Sequence, residues 1–151
     1  MRRQNLIALA AAGSLAMLLG AFAFQHLGGL APCKMCLWQR WPHAAAVAIG
    51  AVALVVPLGV LIWAGAAAVA TSGAIGLYHA GVEQGWWEGP STCTSAPIGN
   101  LSAQELLDQI MAAPLARCDE IPWQMAGLSM AGWNAVISIA LAVIWVLAAR
   151  R

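Results

Sequence analysis

Four cysteines stand out in this chain of 151 residues, because their spacing offers thiol–disulfide chemistry. Cys33-Lys34-Met35-Cys36 is a C-x-x-C pair. Its sulfurs close a short ring, and such a bond is labile, suited to electron transfer more than to stapling. Cys93 and Cys118 are far apart in sequence and can close a loop. Arg40 follows Cys36 by four residues. If a helix begins near Cys36, the two share a face. A guanidinium and a helix N-terminus beside the sulfur both favour thiolate over thiol. Taken alone, Arg40 reads as a charge snorkelling at an interface; next to Cys36 the functional reading is preferred.

Other cysteine chemistries fit less well. A zinc site prefers two closely spaced pairs, and Cys93 and Cys118 are too widely separated. Covalent haem attachment needs a histidine after the second cysteine of the pair, where this chain has Leu37. A pair of purely structural disulfides stays open, and so do all the pairings of four cysteines.

The elements that must hold these residues are apolar. The chain is 62% hydrophobic and 9% charged, whereas a soluble domain carries about 25% charged residues. Lipid suits such a surface, and no basic stripe of the kind nucleic acid requires is present. Uncharged runs of the roughly 20 residues needed to cross a bilayer predict an all-α bundle of four transmembrane helices in one domain, at about 5–24, 42–56, 60–79 and 132–149. The long run after Arg40 divides at Pro57, beside Gly59. Abundant Ala and Gly allow these helices to pack closely. The first run also has features of a cleaved signal, with Arg2-Arg3 before it and Ala21-Phe22-Ala23 at its end. It is longer than the core of such a signal, so an uncleaved span is expected.

Arg2, Arg3, Arg150 and Arg151 flank the outer ends of the first and last spans, which predicts both termini in the cytoplasm. The loops at about 25–41 and 81–131 then lie outside, and together they hold all four cysteines. That side must be oxidising for disulfides to persist. In the second loop, Ser102-Ala103-Gln104-Glu105 has the form of a capping box. Leu106, Leu107, Ile110 and Met111 follow at helical spacing up to Pro114. A short amphipathic helix is expected, lying on the membrane surface or packed on the span ends. Trp86, Trp87, Trp123 and Trp133 fall near span ends and read as interfacial anchors.

The string Pro32-Cys33-Lys34-Met35-Cys36-Leu37-Trp38-Gln39-Arg40-Trp41-Pro42-His43, the four spans and the second cysteine pair resemble the disulfide bond formation protein B (DsbB) family. The resemblance covers nearly the whole chain. It implies an oxidoreductase of the bacterial inner membrane that reoxidises a DsbA-like periplasmic thiol oxidase and passes the electrons to membrane quinone, ubiquinone or menaquinone. By position, Cys93 would be attacked by the reduced partner, and Cys118 would leave and exchange with the Cys33–Cys36 bond. Cys33 would take the inter-loop disulfide and Cys36 would become the thiolate facing quinone, with Arg40 stabilising the negative charge.

The family also has a histidine near the quinone, in a place comparable to that of His79. His79 could hydrogen-bond a quinone oxygen or assist protonation, and a satisfied interfacial histidine explains it equally well. His26 and His43 read as structural. One departure is Gln39, where some relatives carry an acid before the arginine. Two rival functions are a quinone-linked reductase similar to the vitamin K epoxide reductases and a membrane subunit with structural disulfides. In the former family the C-x-x-C lies near the last span, whereas here it follows the first.

Overall fold

The computed structural model describes residues 2–56, 58–94, 102–112 and 116–151. Five helices and one hairpin follow in order: α1 (Arg3–His26), α2 (Lys34–Val55), α3 (Gly59–Glu83), α4 (Ala103–Ala112), β1 (Gln124–Met125), β2 (Leu128–Ser129) and α5 (Met130–Ala149). The expected turn at Pro57 and the stop at Pro114 lie outside the described residues.

Helices α1, α3 and α5 have 24, 25 and 20 residues and are long and apolar enough to cross a membrane. At a rise of about 1.5 Å per residue each reaches about 30 Å or more, the thickness of a bilayer core. Helix α2 is also 22 residues long, but Lys34, Gln39, Arg40 and His43 make its first half polar. It begins at Lys34, two residues before Cys36, so the C-x-x-C pair opens the helix. Large apolar side chains such as Leu19, Val55, Val60, Trp63 and Val143 are exposed on the outer faces of the bundle. Patches of that kind are unusual on a water-soluble monomer and ordinary where lipid is the solvent.

Helix α3 is central, packing against both α5 and α2, while α1 closes the bundle against α2 and α5. The apolar core is built around Ile7, Ile62, Val69 and Trp145, all nearly inaccessible. Gly65 lets the Trp145 indole lie flat on α3, since a Cβ there would sit 2.7 Å from the ring. Above this core lies a polar layer. Asn134 Nδ2 donates to the Ser72 carbonyl at 3.1 Å, and its Oδ1 is 3.0 Å from His43 Nε2. Ser138 Oγ lies 3.2 Å from the same His43 nitrogen. In a dry interior such groups must satisfy one another.

A second, smaller core lies at the end of the bundle that carries the loops, formed by Cys33, Met35, Val82, Cys93 and Cys118. The β1–β2 hairpin, which runs directly into α5, closes through a two-residue turn at Ala126 (φ 51°) and Gly127 (φ 79°). Two consecutive positive φ values match the primed turns that fit the twist of a hairpin. Ser129 then caps α5, accepting from the Gly132 N–H at 3.1 Å. Helix α4 has the expected capping box: Ser102 N–H donates to Glu105 Oε2 at 2.8 Å, and Glu105 N–H donates to Ser102 Oγ at 3.3 Å. Its Leu107, Ile110 and Met111 are exposed.

Candidate functional site

Cys33 is the N-cap of α2, with extended backbone at φ −74° and ψ 171°. Its sulfur therefore faces the free N–H groups of the first turn and accepts from Cys36 N–H at 3.2 Å. The Cys36 sulfur lies 2.7 Å away, and neither cysteine is in a disulfide. These residues precede the expected second span, and their protonation is divided unequally. The hydrogen bond with Cys36, and then burial, push the Cys33 thiol well above the ordinary range. The same hydrogen bond holds Cys36 below that range, and Arg40 acts in the same direction against burial and the Glu83 charge. Of the two, Cys36 is thus the more readily ionised and Cys33 the sulfur that keeps its proton.

Arg40 is held by α1. Its Nη1 donates to Gln25 Oε1 at 2.6 Å and its Nη2 to the Ala21 carbonyl at 3.4 Å, with the guanidinium 5.2 Å from the centre of the Phe22 ring. Arg40 and Cys36 line one cavity of about 430 Å³, with apolar walls that include Phe24, Trp123 and Ile137. His43 and His79 line it too. Trp123 packs on Phe24 at 5.1 Å, and Trp133 Nε1 donates to the Met125 carbonyl at 3.0 Å. These two tryptophans at span ends are therefore also cavity wall.

Gln39, read as a departure near the arginine, turns away from it. Its Nε2 donates to the Met35 carbonyl at 3.2 Å and lies 2.9 Å from His79 Nδ1. A carbonyl only accepts, so the amide nitrogen faces both groups and His79 Nδ1 accepts as well. The His79 proton then sits on Nε2, which is 3.6 Å from the Cys33 sulfur. By the same logic the Asn134 oxygen takes the proton of His43 Nε2, leaving the buried His43 Nδ1 without a partner. His43, read as structural, is buried and joined to Asn134 of α5. Its buried partners come from another helix, beyond the reach of a periodicity argument.

The second cysteine pair is a disulfide, Cys93–Cys118, with its Cα atoms 5.3 Å apart. Cys118 N–H donates to the Cys93 carbonyl at 2.7 Å, and both residues are buried. The disulfide meets the C-x-x-C pair at His79. Cys33 Sγ, a His79 ring nitrogen and Cys118 Sγ all lie within 4.8 Å of one another. A metal could use such a trio only if Cys118 were released, because a disulfide sulfur is a poor ligand. The arrangement suits exchange between two dithiol centres. Glu83, one turn beyond His79, also reaches this cluster, with its Oε1 3.8 Å from His79 Nε2. Its sequence position, at the end of an apolar run, gave no sign of this.

Residues 3–148 match the family model described as "Disulfide bond formation protein DsbB". A protein of Pasteurella multocida named "Disulfide bond formation protein B" is 32% identical over 152 residues, covering 91% of this chain and 84% of that one. One of the same name from Shewanella amazonensis is 30% identical over 145 residues, covering 89% and 83%. Another, from Dechloromonas aromatica, is 30% identical over 135 residues, covering 83% and 79%. Cysteine pairs that meet across a bundle of apolar helices, and a family match running nearly end to end, lead to one conclusion: this chain belongs to the DsbB family.

Proposed function

We propose that this protein is a membrane oxidoreductase that reoxidises a DsbA-like periplasmic dithiol oxidase and passes the two electrons to membrane quinone. The observation that carries this reading is the approach of Cys118 to Cys33 within 4.8 Å, while Cys36 opens on a cavity shared with Arg40. A partner thiolate attacks Cys93 and forms a mixed disulfide, and Cys118 leaves. Cys118 then attacks Cys33 in its disulfide with Cys36, and Cys36 departs as a thiolate. The leaving sulfur is the one whose charge the environment favours, which is what exchange requires.

The cavity suits a quinone in size and character, being apolar with few polar groups. Arg40 offers a cationic donor to a quinone oxygen, and the unpartnered His43 Nδ1 an acceptor for a hydroxyl of the reduced quinol. A quinone bound there supplies a two-electron acceptor. His79, with its proton on Nε2, serves as a donor to the Cys33 sulfur. In this reading α1, α2, α3 and α5 all span the bacterial inner membrane, with both termini cytoplasmic. Helix α4 rests its exposed leucine, isoleucine and methionine on the outer lipid surface.

The test is quinone reduction by the purified protein in detergent, driven by a reduced periplasmic C-x-x-C oxidase. Wild type should turn over, and Cys36→Ser and Cys93→Ser should each abolish turnover. An inert wild type with every quinone tried would sink the reading in favour of structural disulfides.

A further inference from the structure

Among the described residues, Glu83 is the one acidic side chain sunk beside the cysteines. Its side chain is 3% exposed, and its Oε2 is buried without a hydrogen-bond partner. Its Oε1 approaches His79 Nε2 at 3.8 Å, the nitrogen that faces the Cys33 sulfur at 3.6 Å. The Ser129 side chain, the N-cap of α5, lies close to the carboxyl. The titratable groups around it are Cys33 and Cys36 from the start of α2 and His79 one turn back on α3. Arg40, on the cavity side, is engaged with Gln25 and Ala21 of α1. An ionised carboxylate so buried, with one oxygen unpartnered, is costly. Fold alone gives no reason to keep it.

The proposed relay creates a need for a proton at this place. When Cys33 leaves its bond with Cys118, Cys36 is already a thiolate, and the two sulfurs stand 2.7 Å apart. Two buried anions at that separation cannot coexist, so a proton must reach Cys33. His79 is not its source. Its Nδ1 accepts from Gln39, so giving up the Nε2 proton would leave an imidazolate. Glu83, its side chain 3% exposed, is the remaining acid beside His79 among the described residues.

We infer that Glu83 is the proton carrier of the relay, exchanging one proton with the Cys33 sulfur as that sulfur alternates between disulfide and thiol. The inference rests on the function proposed above. In the first half, the partner's second thiolate attacks its own sulfur in the mixed disulfide and releases Cys93, whose thiolate attacks Cys118: the Cys93–Cys118 bond forms, the Cys118–Cys33 bond breaks, and its electron pair goes to Cys33. Cys33 takes the proton of the Glu83 carboxyl, leaving a carboxylate. In the second half, the Cys33 S–H bond breaks and its proton returns to Glu83. The freed pair makes the Cys33–Cys36 bond, and two electrons leave Cys36 for the quinone, which draws its two protons from solvent. His79 N–H orients both the sulfur and the carboxylate.

Infrared difference spectroscopy between the disulfide and dithiol forms of the Cys33–Cys36 pair tests this, using Cys93→Ser/Cys118→Ser protein and a chemical reductant. Neither partner nor quinone is needed, so the result is independent of whether the proposed turnover occurs. A protonated-carboxyl C=O stretch should be present in the oxidised form and lost on reduction. It should be missing in the same protein carrying Glu83→Gln and shifted in Glu83→Asp. In otherwise wild-type protein, Glu83→Gln should slow turnover by about 10²-fold, the low end for removing an acid–base group, with Glu83→Asp recovering part of the rate. A redox-insensitive carboxyl spectrum, or a redox-linked band that survives in Glu83→Gln, would overturn the inference.

Discussion

The polarised cysteine pair sets the chemistry at the scale of single residues. The Cys36 thiol is made more acidic chiefly by its hydrogen bond with Cys33, with Arg40 the smallest of the contributions. The alkylation rate of Cys36 against pH should therefore show a midpoint below that of a free cysteine, about 8.5, falling away as acid protonates the thiolate. Cys33→Ala should move this midpoint up, and Arg40→Met should move it up by less. The reverse order would mean that the guanidinium dominates. That Arg40 and Cys36 border one cavity agrees with their i, i+4 spacing, since helix geometry is local, while the guanidinium itself donates to Gln25 and Ala21. The roles of Gln39 and Asn134 were not legible in the sequence: their partners His79 and Ser72 lie 40 and 62 residues away. Only packing brings such residues together. The family resemblance singled out His79, while its tautomer follows from Gln39 alone.

Helices were the most legible elements, because long uncharged runs and a capping box are properties of continuous sequence. The expected spans 5–24, 60–79 and 132–149 lie inside helices and 42–56 overruns its helix by one residue at Val56, and the described α2 extends well ahead of the expected start because the C-x-x-C forms its first turn. The hairpin at 124–129 went unread: with two residues in each strand, it has no periodicity to detect. Two predictions belong at this scale. Ser102→Ala removes the single hydroxyl that both accepts from the Glu105 N–H and donates to the Glu105 carboxylate. Hydrogen exchange should then quicken across α4 while the amides of α3 and α5 keep their protection. Gly65→Leu places a side chain where Trp145 lies. Overpacking of this kind costs about 1–3 kcal/mol, so the variant should unfold at lower denaturant in micelles. Unchanged unfolding would mean that α3 and α5 are not in close contact there.

In the whole molecule, the loop end of the bundle brings two cysteine pairs from distant parts of the chain onto one histidine. The disulfide at Cys93–Cys118 is buried, so a partner must displace part of the second loop to reach Cys93, whereas exchange with Cys33 needs little movement. The geometry makes a sharp demand on a chain with only two cysteines left. In Cys36→Ser/Cys93→Ser, the remaining Cys33 and Cys118 sulfurs start within 4.8 Å, so mild oxidation should join them quickly and almost completely. The bond would be read by non-reducing gel mobility after cleavage of the chain between them. In Cys33→Ser/Cys93→Ser, the remaining Cys36 faces the cavity and should join to Cys118 more slowly. Equal rates for the two variants would show that the loops move freely over the bundle, and the relay would then owe its order to the thiol acidities and not to position. A fast Cys33–Cys118 bond and a slow Cys36–Cys118 bond would mean that the fold itself fixes which sulfur receives the electrons and which one hands them on.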